Sequence, residues 1–515
     1  MHWADAMAQR LADISDHHVI ATGITPSGPI HVGNMREVLT AELVHRACLD
    51  IGLDAELIYV ADDADPLRKV YPFLDQDTYA PYVGHMLAET PAPDGNGSYA
   101  EHFLAPFLAA LKELDIRPRV VNNRQSYLDG LHHNATRQLC EGAQAVQEIL
   151  TDVSGRDVPD GWFPWTVRRE DGVLGGVEVT DWSWPVVEYR MPDGTTGVAN
   201  IEKAEGKLPW RLDWPARWGW LDVTFEPCGK DHFSAGSSFD TGRAIAEWLD
   251  QRPPESMMYE WIYLRGEGAM SSSTGNLVET QELLGFVPPE ILRFLVARNR
   301  PKRHIDFDLG DLLSLADEYE RTAQRWLAEL EAKPDVLPSK GGAKRADEHR
   351  RYELSRIGEV TESPTAAIGS AHLAMVVQLK PSTEEVRNAL AATHGLDPAE
   401  LQGMDRRIER MRTYVDSEHL PEAARLRVRT AGEPISEEHH GVLNTLRHFW
   451  SKVDTWDADI LQNTISEVSQ AANATPKQVY TGAYAALLGR ESGPRLGSLA
   501  AALGRRVTLN LLNGD

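Results

Sequence analysis

The stretch that most constrains this chain is Ala21 to Arg36, ATGITPSGPIHVGNMR. A short apolar run, His18-Val19-Ile20, precedes it and reads as a buried strand. Met35 to Val44 follows, with apolar residues at helical spacing. Three glycines, two prolines, small hydroxyl residues and one histidine lie in the stretch itself. Glycine lets a backbone approach a ligand closely. The loop also feeds a helix N-terminus, whose free N–H groups and dipole favour an anion. Strand, glycine-bearing loop and helix in succession form the geometry of a nucleotide site in a doubly wound parallel sheet.

The flanking sequence supports such a sheet. Residues 18 to about 125 read as a first βαβαβ half. Ala55 to Ala61 is a strand run ending in Asp62-Asp63-Ala64-Asp65, whose carboxylates are candidates to bind a cation or a hydroxyl. Residues 75–98 read as an ordered insertion or a flexible loop. His102 to Leu114 is an amphipathic helix, Arg119 to Val121 a short strand, and Leu128 to Leu150 a helix. Between about 151 and 215, Gly, Pro and Trp are dense and strand pairs alternate around turns, which predicts a β-rich insertion. Trp162, Trp165, Trp182 and Trp184 are its candidate core. The second half begins near Trp210, with strands at Asp222 to Pro227 and Met257 to Leu264 and a largely helical stretch from Leu283 to Arg300. From about 310 the pattern is helical: Leu312 to Glu331, a linker at Pro334 to Lys344, then runs that include 383–394, 421–430 and 476–488. The expectation is an α/β catalytic domain over 1–300, with a Rossmann-type doubly wound parallel sheet and the insertion, followed by an all-α C-terminal domain over 301–515.

Composition limits the function classes. A hydrophobic fraction of 42% and a charged fraction of 25% are those of a globular protein, and no apolar run is long enough to span a bilayer. The N-terminus lacks a basic segment followed by an apolar core, and Cys48, Cys140 and Cys228 offer no disulfide framework. A reducing cytoplasm is the expected compartment. A net charge of −25 argues against indiscriminate polyanion binding. A specific RNA held on a local basic face remains compatible with it.

The motifs narrow the reading further. Neither GxGxxG nor GxxxxGK[ST] occurs. His31-Val32-Gly33-Asn34 instead resembles the first signature of class I aminoacyl-tRNA synthetases, His-x-Gly-His, in a variant ending in Asn. The longer string TGITPSGPIHVGNMREVLT resembles the class I lysyl-tRNA synthetases in particular. Met270-Ser271-Ser272-Ser273-Thr274-Gly275-Asn276 resembles the second class I signature, Lys-Met-Ser-Lys-Ser, but Ala269 and Ser272 occupy the lysine positions. Gly229-Lys230-Asp231-His232 is a third match, and Leu487 to Gly497 is like the family's ending. At Gly229 the backbone can be approached closely, and Asp231 can accept from a ribose or an ammonium.

The resemblance implies a set of roles. Pro26, Ser27, Gly28, His31, Gly33, Asn34, Gly229, Asp231, Met270 and Ser273 would bind ATP, with Gly33 leaving room for adenine. His31, Asn34, Met270, Ser271, Ser272, Ser273 and Thr274 would carry the chemistry. Gly23, Thr25, Trp210, His232 and Tyr259 would contact lysine. It also implies ATP with Mg²⁺ and tRNA(Lys), whose anticodon end the helical domain would read. Relatives with cysteine pairs in the insertion suggest zinc knuckles; here those positions are not cysteine, so no structural zinc is expected. A lysine pocket needs a carboxylate or polar cage for the ammonium, and Glu37, Asp62, Asp63 and Asp231 are its contenders. The pairs His17-His18, His132-His133 and His439-His440 read as surface or capping residues. Oligomeric state is left open.

Overall fold

A computed structural model describes residues 1–155, 157–159, 161–270, 277–331, 342–358 and 368–513. It forms two compact units: Met1–Leu284 with Leu292–Asp308 and Leu337–Ile357, and Gly285–Ile291 with Leu309–Val336 and Gly358–Asp515.

The first unit is built on five parallel strands. They are β1 (His17–Ile24), β2 (Asp54–Ala61), β3 (Arg119–Asn122), β4 (Val223–Gly229) and β5 (Glu255–Tyr259), in the order β5-β4-β1-β2-β3. The chain leaves β1 towards β3, then returns to β4 on the other side. The switch point therefore lies between β1 and β4, where such sheets open a crevice at their carboxyl ends. Covering elements bury the central strands, which explains the apolar runs Val19-Ile20-Ala21 and Leu57 to Val60. The helix Met35–Asp50 packs on them through Met35, Val38, Leu39, Leu43 and Ala47.

The insertion contains an antiparallel sheet of Glu178–Ser183, Val186–Arg190 and Thr196–Asn200, and a pairing of Thr166–Val167 with Gly206–Lys207. Trp165, Val187, Tyr189 and Leu208 share one apolar core with Leu139, Val146 and Leu150 of the preceding helices. Trp162, Trp182 and Trp184 pack half-buried against it.

Several elements differ from the sequence reading. The stretch 128–150 is not one helix: Asn123–Leu128, His133–Glu141 and Ala143–Ser154 are separate, and a Cβ at Gly142 would run into the Trp248 ring. The strand expected over 257–264 is two strands in different sheets. β5 joins the main sheet, whereas Ile262–Leu264 pairs with Gly268–Ala269 and Ile305–Phe307. Periodicity cannot reveal such a change of partner. Leu283 to Arg300 holds parts of two helices, Thr280–Phe286 and Pro289–Ala297, divided at Pro288. Residues 75–98 are ordered around Leu74, Tyr79, Leu87 and Tyr99. The helix Trp3–Ala12 was not anticipated. Two of the paired histidines are core residues rather than surface ones. His18 bonds with Thr224 Oγ1 (3.1 Å) and Ser15 O (2.8 Å), and His132 stacks on Tyr127 with ring centroids 3.9 Å apart.

The second unit is helical among its described residues. Leu312–Glu331, Thr383–His394 and Pro476–Leu488 coincide with the expected runs. Ser382 and Thr475 start the last two with reciprocal capping boxes. The run at 421–430 is not a helix; only the 3-10 turn Glu422–Ala424 forms. Its arginines serve backbone carbonyls instead: Arg425 donates to Ser417 O (2.6 Å) and Arg429 to Ala486 O (3.1 Å). Of the expected linker, 334–341 lies outside the described residues, and the helix Gly342–Ser355 covers the remainder. No helix among the described residues is long and apolar enough to cross a membrane.

Candidate functional site

The loop after β1 is fixed from both sides. Asn34 stands just before the helix Met35–Asp50, and its Oδ1 accepts from His31 N at 3.1 Å. Ser27 N donates to Thr25 O (2.8 Å), and the Tyr99 hydroxyl donates to Ser27 O (2.8 Å). Pro26 and Gly28 are buried. His31 is also buried, and desolvation pushes its imidazole down to about 4, so it is neutral at pH 7. Its Nδ1 has no partner among the described residues. A Cβ on Gly33 would come within 2.8 Å of the imidazole ring, so the space glycine frees lies against His31. Met270 Cβ lies 3.5 Å from the same point. Val32 N donates to Val278 O at 2.9 Å, and His31 bridges to Glu279. The first signature is thus bonded to the segment just after the second and lies beside Met270, the second signature's first residue. Ser271, Ser272, Ser273 and Thr274 themselves lie outside the described residues.

A cavity of about 890 Å³ opens at the carboxyl ends of β1 and β4. Gly23, Thr25, Trp210, Gly229, Asp231 and His232 all line it. Tyr259 stands just behind, its hydroxyl donating to Glu37 Oε2 at 2.8 Å. Close packing explains the two glycines. A Cβ on Gly23 would sit 3.1 Å from Val60 O, and one on Gly229 would sit 2.6 Å from Asp231 Oδ1 and 3.4 Å from the Tyr259 hydroxyl. Trp210 and His232 place their ring centroids 5.1 Å apart, and Asp231 lies beside His232 at 3.3 Å. Deeper in, the Trp214 and Trp218 indoles donate to Glu226 Oε2 at 2.9 and 2.6 Å.

Glu37 is the distinctive group here. It accepts from Gly23 N (2.9 Å), the Thr22 hydroxyl (3.0 Å) and the Tyr259 hydroxyl. All three are neutral donors. Burial pushes its carboxyl up to about 7, against the opposing pull of these bonds. Of the other contenders for a cation, Asp62 is paired and Asp231 is peripheral, while Asp63, like Glu37, is met by a neutral donor. Asp62 meets Arg217 (3.0 Å) and Asn123 Nδ2 (2.9 Å), and Asp63 accepts from Arg124 N (2.7 Å). Asp231 is half exposed.

The sequence reading missed the buried network beside the cavity. Asp65 takes the Thr25 hydroxyl (3.2 Å) and the Lys207 ammonium. Lys207 also lies 3.4 Å from Asp213, which meets Arg217 (3.2 Å) and the Tyr127 hydroxyl (3.0 Å). The i,i+4 spacing of Asp213 and Arg217 was a legible signal; Lys207, arriving from the insertion, had none. Among the described residues no group of three or more His, Cys, Asp or Glu side chains converges as a metal site.

A nucleotide loop at the switch point, bound to the segment bearing a second signature, is the catalytic architecture of class I aminoacyl-tRNA synthetases. The family model described as "tRNA synthetases class I (K)" matches residues 1–357, and that described as "Anticodon binding domain" matches 408–513. The lysine–tRNA ligase of Picrophilus torridus is 36% identical over 515 residues, covering 99% of this chain and 98% of that one. That of Thermoplasma acidophilum is 37% identical over 510 residues, covering 98% and 97%. Lysine–tRNA ligase 1 of Methanosarcina acetivorans is 46% identical over 362 residues, covering 69% and 66%. The chain belongs to the class I lysyl-tRNA synthetases, ligases that use ATP to join lysine to its tRNA.

Proposed function

We propose that the cavity holds lysine with its ε-ammonium on Glu37. The observation that carries this reading is a half-buried carboxylate in the cavity wall that, among the described residues, is bonded by neutral donors alone. A cation arriving there regains attraction without displacing a resident partner. Trp210 offers an aromatic wall to the stem, Gly23 and Thr25 a polar edge, and Tyr259 keeps Glu37 oriented. His232 and Asp231 stand at the mouth, nearer the reacting end.

ATP lies along Pro26 to Gly28, His31, Gly33 and Asn34, with its sugar towards Gly229 and Asp231. Mg²⁺ comes with its phosphates. A lysine carboxylate oxygen attacks the α-phosphorus in line, and the bond to the bridging oxygen breaks as pyrophosphate leaves. The terminal adenosine hydroxyl of tRNA(Lys) then attacks the carbonyl, gives up its proton and displaces AMP. Neutral His31 donates to a phosphoryl oxygen as charge grows there. The second signature carries no lysine, so the first loop and the helix behind it carry more of the charge stabilisation. The helical second unit reads the anticodon, and the cytoplasm is the compartment.

The test is ATP–pyrophosphate exchange over the amino acids, with tRNA present, beside tRNA charging. Lysine-dependent exchange and lysyl-tRNA are expected. No exchange at any Mg²⁺ concentration overturns the reading, and exchange without charging of tRNA(Lys) points to a different acceptor.

A further inference from the structure

Outside the substrate cavity, the first unit carries a second concavity of about 870 Å³. One wall is the turn after the helix Pro289–Ala297, Arg298-Asn299-Arg300-Pro301-Lys302-Arg303, in which acidic residues are absent. Lys344 and Arg351 face the same space, and Trp3 and Met257 also line it. On a chain of net charge −25 this is an unusual concentration of cations. Some are already engaged: Arg351 pairs with Asp347, and Lys344 lies 4.0 Å from Glu348. Arg300, Lys302 and Arg303 are exposed, and their side chains have no acidic partner among the described residues.

The backbone of this turn is fixed from within. Arg36, only 1% exposed, donates through Nη2 to the carbonyl oxygens of Arg300 (3.1 Å), Pro301 (3.2 Å) and Arg303 (3.3 Å). Glu260 N adds a bond to Pro301 O at 2.8 Å. Burying a guanidinium is costly, and this one is spent on three carbonyls of a single turn. The carbonyls are held inward while the cationic side chains stay in solvent. Arg36 is also the second residue of the helix that the first signature feeds. The turn is therefore tied to the loop assigned to ATP.

We propose that this cleft binds the sugar–phosphate backbone of the tRNA substrate, with Arg300, Lys302 and Arg303 each meeting a phosphate. This rests on the tRNA-charging reading above. An acidic protein repels a polyanion over most of its surface, so productive contacts must come from local basic patches. Phosphate contacts set register rather than sequence. Through Arg36, a strand held here is registered against the ATP loop.

The test compares the protein with the variant Arg300→Ala, Lys302→Ala, Arg303→Ala. KM for tRNA is expected to rise about tenfold near physiological salt, and the slope of log affinity against log salt to fall by about 2. At saturating tRNA, lysine-dependent exchange and KM for lysine and ATP stay within about twofold, because a backbone contact leaves the amino-acid site alone. A variant that keeps charge, Arg300→Lys with Arg303→Lys, retains the wild-type salt slope. Unchanged tRNA affinity and slope in the triple alanine variant overturn the proposal. So does an equal rise in KM for lysine, which would make the turn a structural support. Failure of the unmodified protein to exchange with lysine is a different result, and sinks the reading of the active site instead.

Discussion

Two buried acidic regions meet at the cavity, and they are built on opposite plans. Asp62, Asp65 and Asp213 sit among Arg217, Lys207 and Asn123, so each carboxylate has a cation or an amide within reach. Glu37 is only half-buried, and among the described residues it is met by a backbone N–H and two hydroxyls. The first plan is self-contained. It ties the insertion, through Lys207, to the loop after β2 and to Thr25. The second leaves a charge deficit that a ligand can fill. The two plans differ in whether a cation already stands against the carboxylates.

The comparison can be broken experimentally. Arg217→Ala strips the network of a cation shared by Asp62 and Asp213, and should destabilise the fold by about 3–5 kcal/mol in chemical denaturation. Stability within about 1 kcal/mol of wild type would mean that the network is not the support described here. Glu37→Gln should behave the other way. It keeps the fold but lowers kcat/KM for lysine by about 30- to 1,000-fold, the loss expected when one partner of a buried charge pair is removed (about 2–4 kcal/mol). If it unfolds the protein as Arg217→Ala does, the two regions are not different in kind.

Acidity sharpens the contrast. The Glu37 carboxyl, ordinarily near 4.5, is raised to about 7 by burial. Its folded value exceeds its unfolded one, so its contribution to stability is full below pH 4.5 and is lost as pH rises through 7. Without lysine the loss amounts to about 3 kcal/mol, and it should vanish from a stability–pH profile of Glu37→Gln. Lysine binding needs the ionised form. Its affinity should therefore fall about tenfold per pH unit below about 7 and level off above. A flat lysine profile from pH 5 to 8 would remove Glu37 from the ammonium site.

Smaller effects test the surroundings. Ser272→Lys returns a cation to the second signature and should raise the exchange rate about tenfold, measured at saturating tRNA. Trp214→Phe removes one of the two indole donors to Glu226 and should cost about 1 kcal/mol of stability, with little change in lysine kinetics.

Much of the site was legible in the chain. Gly23, Thr25, His31, Asn34 and the run Gly229 to His232 lie in contiguous strings, and local strings report local geometry: strand, loop, helix start. Trp210 was placed by spacing and does stand at the cavity wall, because the helix it opens packs beside β4. Other features were not legible, for physical reasons. The strand at 257–264 changes sheets, yet each half alternates like any strand. The segment 421–430 has helix-forming composition, but its arginines are spent on distant carbonyls. His132 looked like a surface pair member because stacking on Tyr127 depends on a turn that periodicity does not record.

The sequence alone determined the class of the fold, the strand–loop–helix at its switch point and the family, since these reside in short-range order and in motif strings. Tertiary structure decided which of the acids already carries a resident cation. Glu37, Asp62, Asp63 and Asp231 are equal as letters: one opens a helix and three follow strands. Only the fold brings Arg217 to Asp62 and the Arg124 amide to Asp63, leaves Asp231 at the mouth, and among the described residues places no cation against Glu37. Coulomb interactions fall with distance through space, not along the chain, so that assignment had to wait for the packed molecule.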